Sequence, residues 1–194
     1  LIYSDNNCVM TNRRFFLVQG TLATTAMFLL KPLTTIGGAV SQFTEFNGSN
    51  GKLALLHTAS INTYADAQFI QYLTKLKSNH TNAILLDAGQ GLEYETGSLP
   101  YDVSINRDSS LSAITGNYKI LHKGNIKTGV IIAKTGDNDD IDKLNALSLY
   151  LKKEKKCSVV VCLSQLGYRN QNGPDDVTLA AKSTCIDIII AGHA

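Results

Sequence analysis

The sequence predicts a layered α/β domain, and two observations carry that prediction. Short runs made wholly of apolar residues indicate strands that are buried on both faces. These runs alternate with segments whose apolar residues recur at helical spacing, as in sheets that are covered by helices. The chain has 194 residues, of which 44% are hydrophobic, and this length allows one domain with a substantial core.

The first half of the alternation begins at residue 52. Phe69, Ile70, Leu73 and Leu76 lie at helical spacing, and lysines at the end of that segment suit a helix C-terminus. A hairpin is indicated where Lys-Gly-Asn separates two apolar runs. The predicted elements are the strand "KLALLHT", the helix "TYADAQFIQYLTKLKSN", the strand "NAILLDAG", the short strand "YDVSI" and the hairpin "YKILHKGNIKTGVIIA".

The second half contains two fully apolar strands. The helix "DDIDKLNALSLYLKKEKK" has acids at its start and bases at its end, as the helix dipole favours. The strands "CSVVVCLS" and "CIDIIIAG" flank a loop and a short helix predicted around Asp176–Lys182. Cys157, Cys162 and Cys185 lie in or beside these strands, so we expect small buried hydrophobic residues rather than metal ligands.

The N-terminal region, residues 1–40, has the layout of an export signal. The pair Arg13-Arg14 precedes an apolar stretch and then small residues. This pattern is similar to the twin-arginine signals of bacteria, which predicts a periplasmic or extracellular protein with no stable membrane span after processing. Met10 is then a candidate start of translation. A single membrane-spanning anchor is the alternative.

The rest of the chain is predicted to be a linker followed by one domain. Residues 41–51 are polar and glycine-rich, which indicates a linker, and residues 52–194 form the domain. The net charge is only +2, and the bases are scattered apart from "KKEKK". There is no aromatic strip on which bases could stack, so we expect no nucleic-acid partner.

Polar residues follow four of the predicted strands, at the ends where parallel sheets place their working residues. These segments are "LLHTASIN", "LLDAGQ", "CLSQLGY" and "IIAGHA". In this order they resemble the motifs LHTNDxH, LLDAGD, LSHLG and GGHxH of the calcineurin-like metallophosphoesterases, in the 5′-nucleotidase branch. The resemblance covers Lys52 to Ala194 and implies a metallophosphoesterase-like α/β sandwich. Members of the family continue with further strands, so we expect this chain alone to be marginally stable.

The resemblance implies a two-metal site in which most ligands are replaced. The family's chemistry needs Asp, His and Asn side chains that hold two divalent metals, so that a bridging water attacks phosphorus. The ligand positions of the first motif are Ser60 and Asn62, the metal-bridging aspartate is Gln90, and the LSHLG histidine is Gln165. His193 matches the first histidine of GGHxH. Amides supply no charge, so two close dications would repel strongly there.

A further family motif, GNHE, is matched within "YDVSINRD". On this match Asn106 stands at the ligand asparagine, Arg107 at the catalytic histidine and Asp108 at the acid. Gly116-Asn117 is an alternative match by letters. The surviving metal ligands are then Asn106 and His193, and any retained activity would use manganese, zinc or magnesium. Otherwise we expect no cofactor.

Two other residues in the retained motifs match positions that are not ligands. Asp87 is expected to cap or orient the turn after its strand, and His57 is expected to be structural. Ser60 is not expected to act as a nucleophile, because no histidine lies at a motif position suited to activate it.

Three functional hypotheses follow from the resemblance. In the first, an exported and catalytically impaired domain binds a phosphorylated small molecule or nucleotide through Asn62, Gln90, Arg107, Gln165 and His193. In the second, the chain is a weak metal-dependent phosphoester hydrolase. In the third, it is a non-catalytic structural subunit that binds a partner, for example an intact paralogue.

Overall fold

The architecture is known from a computed structural model, which describes residues 15–17, 42–48, 51–58, 67–89, 99–111, 116–134, 141–169 and 173–192. In chain order the elements of this part of the protein are β1 (Phe15–Leu17), β2 (Gln42–Gly48), β3 (Gly51–Thr58), α1 (Ala67–Ser78), β4 (Ala83–Asp87), β5 (Val103–Ser104), β6 (Lys119–Lys123), β7 (Ile126–Ala133), α2 (Ile141–Lys153), β8 (Val159–Ser164), α3 (Asp176–Lys182) and β9 (Ile188–Ala191).

The strands form two sheets. The larger sheet has the order β1-β9-β8-β7-β6, and the smaller sheet has the order β2-β3-β4-β5. The strands β7, β8 and β9 are parallel to one another in the larger sheet, as are β3, β4 and β5 in the smaller. The carboxyl ends of each parallel set therefore lie along one edge of its sheet, where loops usually carry the working residues.

The core lies in three layers between and outside the two sheets. Leu53, Leu55 and Leu86 of the smaller sheet pack against the larger sheet in the central layer. The side chains between them along β3 point the other way, as strand geometry requires, and pack against α1. Helices α2 and α3 cover the outer face of the larger sheet. The layered α/β sandwich predicted from the sequence is confirmed.

Two smaller expectations concern the cysteines and the membrane. Cys157, Cys162 and Cys185 are buried, which confirms their prediction as small buried hydrophobic residues. Among the helices of the described ranges, none is long and apolar enough to cross a bilayer.

The structure corrects the prediction of a linker at residues 41–51. Residues 42–48 form β2, which pairs antiparallel with β3 from Gln42 opposite His57 to Gly48 opposite Gly51. The polar composition suggested a loop, but an edge strand pairs through its backbone and tolerates polar residues. Within the predicted signal segment, β1 pairs in parallel with β9. The export signal and the domain limits stay predictions.

The edges of the two sheets are joined by ion pairs around Asp102. The Lys77 Nζ lies 2.8 Å from its carboxylate, and the Lys123 Nζ lies 3.6 Å away. Lys119 donates to the Asp102 carbonyl at 2.8 Å, and the Leu85 backbone N–H donates to the carboxylate at 2.8 Å. Asp102, which directly precedes β5, thus connects that edge strand to α1, to β4 and to the edge strand β6.

Replacing Asp102 by alanine is expected to lower the free energy of unfolding by about 2 kcal/mol. The change removes a backbone acceptor and the shared partner of two ammonium groups, which are only partly exposed. Urea unfolding at low and high salt measures it, and the loss should shrink at high salt because ion pairs are screened. Glu154→Ala, at an exposed position just after α2, is the control; an equal loss there would contradict the prediction.

Candidate functional site

The carboxyl ends of the parallel strands from both sheets meet at one point. Gly192, directly after β9, packs so closely on the turn after β4 that a β-carbon at this position would overlap the backbone of Ala88. The Gly192 N–H also donates to the carbonyl of Ser164, at the end of β8, at 2.9 Å. The ends of β4, β8 and β9 are therefore neighbours, as the four strand-end motifs require.

A buried carboxylate, Asp87, lies at the end of β4 and is fully enclosed. One of its oxygens accepts from the Thr58 hydroxyl at 3.2 Å and from the Gly89 N–H at 3.0 Å. The other oxygen accepts from the Ser104 hydroxyl at 2.8 Å. Thr58 is also hydrogen-bonded to the hydroxyl of the buried Tyr101 at 2.8 Å. The expectation that Asp87 orients the turn after β4 agrees with these contacts.

The electrostatics of Asp87 are set by two opposing effects. Burial raises the pKa of its carboxyl above the ordinary value, because an ionised group is poorly solvated there. The three hydrogen bonds and the Arg107 guanidinium oppose this rise in pKa. Burial also raises the pKa of Tyr101, which keeps its phenol protonated as a hydrogen-bond donor.

Asn106 is a sequence-predicted ligand position that contacts the turn beside this network. It is exposed just after β5, and its side-chain amide donates to the carbonyl of Gly89 at 3.4 Å. The alternative asparagine, Asn117, instead donates to the carbonyl of Ser110 at 3.1 Å. The contact with Gly89 favours Asn106 as the residue at the strand-end junction.

Arg107 and Asp108 pair with each other beside the junction. The Arg107 guanidinium lies 3.1 Å from the Asp108 carboxylate and donates to the Tyr101 carbonyl at 3.1 Å. Asp108 also accepts from the Ser104 N–H at 2.9 Å and lies 3.5 Å from the Lys119 ammonium. Burial alone would raise the pKa of Asp108, but these donors and cations lower it overall. Both predicted catalytic residues thus brace the turn after β5.

Gln165 directly follows β8 and is buried. Its backbone N–H donates to the Ala133 carbonyl at 2.8 Å, at the end of β7. The preceding residue, Ser164, donates its hydroxyl to the buried carboxylate of Asp176 on α3. This buried pair joins the end of β8 to α3, directly before Gln165.

The remaining predicted site residues lie outside the described ranges: Ser60, Asn62, Gln90 and His193. Their strands lead toward the junction, because β3 ends at Thr58, the described turn after β4 ends at Gly89, and β9 is followed by Gly192. Their roles stay predictions.

The described part of the site does not fit a pair of divalent metals. No group of three or more His, Cys, Asp or Glu side chains in that part of the chain could hold a metal ion. The nearest carboxylates, Asp87 and Asp108, already accept hydrogen bonds from hydroxyl, backbone and guanidinium donors. The other described ligand positions, Asn106 and Gln165, carry amide groups. An amide oxygen can bind a hard cation, but it supplies no negative charge.

Sequence reasoning missed the partners of Asp87. Thr58, Tyr101 and Ser104 are buried polar residues that surround its carboxylate. The available signal was the position of a carboxylate at the end of an otherwise apolar buried strand, since a buried charge needs hydrogen-bonding partners.

His57 is buried on the inner face of β3, opposite Leu86 of β4. Neither of its ring nitrogens has a hydrogen-bond partner in the described structure. Burial lowers the pKa of this imidazole to about 4, so the ring is neutral at physiological pH.

Comparisons with known proteins find a distant similarity in structure. No family model matches the chain, and no curated protein matches it. Among solved structures, the chain is similar to the NAD nucleotidase of Haemophilus influenzae, with 16% sequence identity and a TM-score of 0.46. The similarity covers 80% of this chain and 36% of that enzyme, so the chain spans little more than a third of the enzyme's length.

Proposed function

We propose that the chain is an exported metallophosphoesterase-like domain, related to the 5′-nucleotidases, that binds a phosphorylated ligand without efficient hydrolysis. The observation that carries the proposal is the junction of strand ends, where Gly192 packs on Ala88 and Asn106 contacts Gly89. The motif positions that would supply negative ligands read Ser60, Asn62, Gln90 and Gln165.

The chemistry of these side chains suits a phosphate group better than a pair of metals. Amide N–H groups donate hydrogen bonds to phosphate oxygens without repelling them, whereas carboxylates would repel them. The Arg107 guanidinium acts on the same region, because its charge opposes the raised pKa of Asp87. A phosphate at the junction would therefore meet neutral amide donors, with the Arg107 guanidinium and its partner Asp108 beside them.

The proposal predicts that adenosine monophosphate stabilises the protein and that adenosine does not. A ligand at a hundredfold excess over its dissociation constant raises the free energy of unfolding by about 2.7 kcal/mol when it binds only the native state. Thermal unfolding with each compound measures this, and Gln165→Glu, which adds a negative charge at the junction, should abolish the difference. Equal stabilisation by the nucleoside would contradict the proposal.

A hydrolysis screen with added manganese or zinc separates this proposal from a weak hydrolase. We expect no turnover of nucleotides or phosphodiesters above a metal-only blank. Stoichiometric bound metal, together with turnover that is lost in His193→Ala, would assign the chain to the second hypothesis. Absence of any nucleotide effect, with stable association to another protein, would assign it to the third.

A further inference from the structure

One side chain holds the ends of three neighbouring strands. The carboxylate of Asp87 is at the end of β4, and it accepts from Thr58 at the end of β3 and from Ser104 at the end of β5. It also accepts from the N–H of Gly89, in the turn that follows its own strand. Three donors, from the ends of β3 and β5 and from the turn after β4, thus share one buried carboxylate.

Each of these strand ends leads directly into a predicted ligand position. Ser60 and Asn62 follow Thr58, Gln90 follows Gly89, and Asn106 follows Ser104. The Asn106 amide also donates to the Gly89 carbonyl. This hydrogen bond joins the segment after β5 to the turn after β4.

The backbone already holds these strands together without the Asp87 side chain. The Ala88 N–H donates to the Thr58 carbonyl at 3.0 Å, and the Ile105 N–H donates to the Asp87 carbonyl at 3.0 Å. Strand pairing therefore reaches the ends of β3, β4 and β5 by itself. The side chain adds hydrogen bonds that fix how the chain leaves each strand.

The carboxylate presents both of its oxygens to these donors. The hydroxyls of Thr58 and Ser104 are directed to different oxygens of Asp87, and the Gly89 N–H shares one of them. An ionised carboxylate is buried at a cost unless it is paired or hydrogen-bonded. Pairing of the strands does not require this carboxylate, because the backbone hydrogen bonds already provide it. Its costly burial therefore indicates a separate role.

We infer that Asp87 is the positioning residue of the strand-end site, setting how the chain leaves β3 and β5 and how the turn after β4 meets Asn106. The inference rests on the proposed function for the ligand that these segments would meet. It assigns no contact between Asp87 and that ligand.

The first measurement is amide hydrogen exchange, which needs no ligand. In Asp87→Ala we expect the Gly89, Ala88 and Ile105 amides to exchange about tenfold faster or more, relative to the amides of α2, because the local hydrogen bonds are lost or loosened. Asp87→Asn keeps the shape and an accepting oxygen, so it should restore most of the protection. Unchanged protection of these amides in Asp87→Ala would overturn the inference.

A destabilised control separates positioning from general stability. Leu144→Ala removes a buried side chain between α2 and the larger sheet, so it should lower global stability. We expect it to speed exchange throughout the protein in proportion, without selecting the three junction amides. The same pattern in Asp87→Ala would show a merely structural role and would overturn the inference.

The second measurement is the dissociation constant for adenosine monophosphate, at a temperature where all variants are folded. Asp87→Ala should raise it about tenfold or more, while Asp87→Asn and Leu144→Ala stay within about threefold of the unchanged protein. An unaltered constant in Asp87→Ala would overturn the inference. If the unchanged protein does not bind the nucleotide, the proposed function fails, and hydrogen exchange still decides the role of Asp87.

Discussion

Replacing Gly192 by alanine is expected to lower the free energy of unfolding by more than about 3 kcal/mol, enough to unfold a marginally stable chain. The added β-carbon would overlap the carbonyl oxygen and carbon of Ala88. A backbone cannot rotate away as a flexible side chain can, so the two strand ends would have to separate. That movement would also strain the hydrogen bond from the Gly192 N–H to the Ser164 carbonyl.

Gly129→Ala provides the matched control, because Gly129 is also a buried strand glycine. Its added β-carbon would meet side-chain atoms instead, at 3.0 Å from Leu151 and 3.3 Å from Cys157. These side chains can shift by small amounts, so we expect a loss of about 1–2 kcal/mol. Urea midpoints measured by circular dichroism compare the two variants. Equal losses would show that the overlap at Gly192 is relieved easily and would contradict the prediction.

The elements after residue 51 were predictable because their signals are local. The apolar run of β8 and the helical spacing of Leu144, Leu147 and Leu151 in α2 express burial through periodicity alone. The Lys-Gly-Asn turn between β6 and β7 likewise marks a hairpin within a few residues, and the structure has Gly124 at a φ of +56° there.

The strands β1 and β2 were not predictable by the same means. In β1, Phe15–Leu17 pairs with β9 from the far end of the chain, and no local pattern reports such pairing. The polar segment Gln42–Gly48 resembles a loop in composition, yet pairs with β3 along its whole length. Edge strands need only one partner, so their sequences carry weaker periodicity than central strands.

The hydrogen bonds within the candidate site were not predictable from the sequence. Motif order predicts that four strand ends lie together, and the contact between Gly192 and Ala88 brings two of them together. The hydrogen bond between Thr58 and Asp87 joins residues 29 positions apart, and that between Ser104 and Asp87 joins residues 17 apart. Such contacts depend on sheet order, which no single motif specifies.

Acid is expected to destabilise the protein through His57 by about 3 kcal/mol between pH 6.5 and pH 4. Burial lowers the pKa of this imidazole from 6.5 to about 4 in the folded state. In that window the unfolded chain binds a proton and the folded chain does not, so stability falls as the pH falls. Above about pH 7.5 both states are essentially neutral at this position, and His57 contributes almost no pH dependence.

His57→Leu is expected to remove this component of the pH dependence. Leucine fits the apolar inner face of β3 and cannot titrate, and it also removes two buried ring nitrogens that have no partner among the described residues. Stability at pH 7.5 should therefore be unchanged or higher in the variant. At pH 4.5 the variant should exceed the unchanged protein by about 2–3 kcal/mol.

Urea unfolding of both proteins from pH 7.5 to pH 4.5 gives the difference that isolates His57. Asp87 and Asp108 have shifted pKa values, raised for Asp87 and lowered for Asp108. Both groups are present in both proteins, so their contributions to the pH dependence cancel when one profile is subtracted from the other. Leu55→Ala, which changes a buried residue on the same face of β3 that cannot titrate, serves as the control and should lower stability by the same amount at every pH. If the profile of His57→Leu runs parallel to that of the unchanged protein, the buried ring accepts its proton at no cost. That result would contradict the prediction, which rests on a neutral imidazole whose nitrogens have no partner in the described structure.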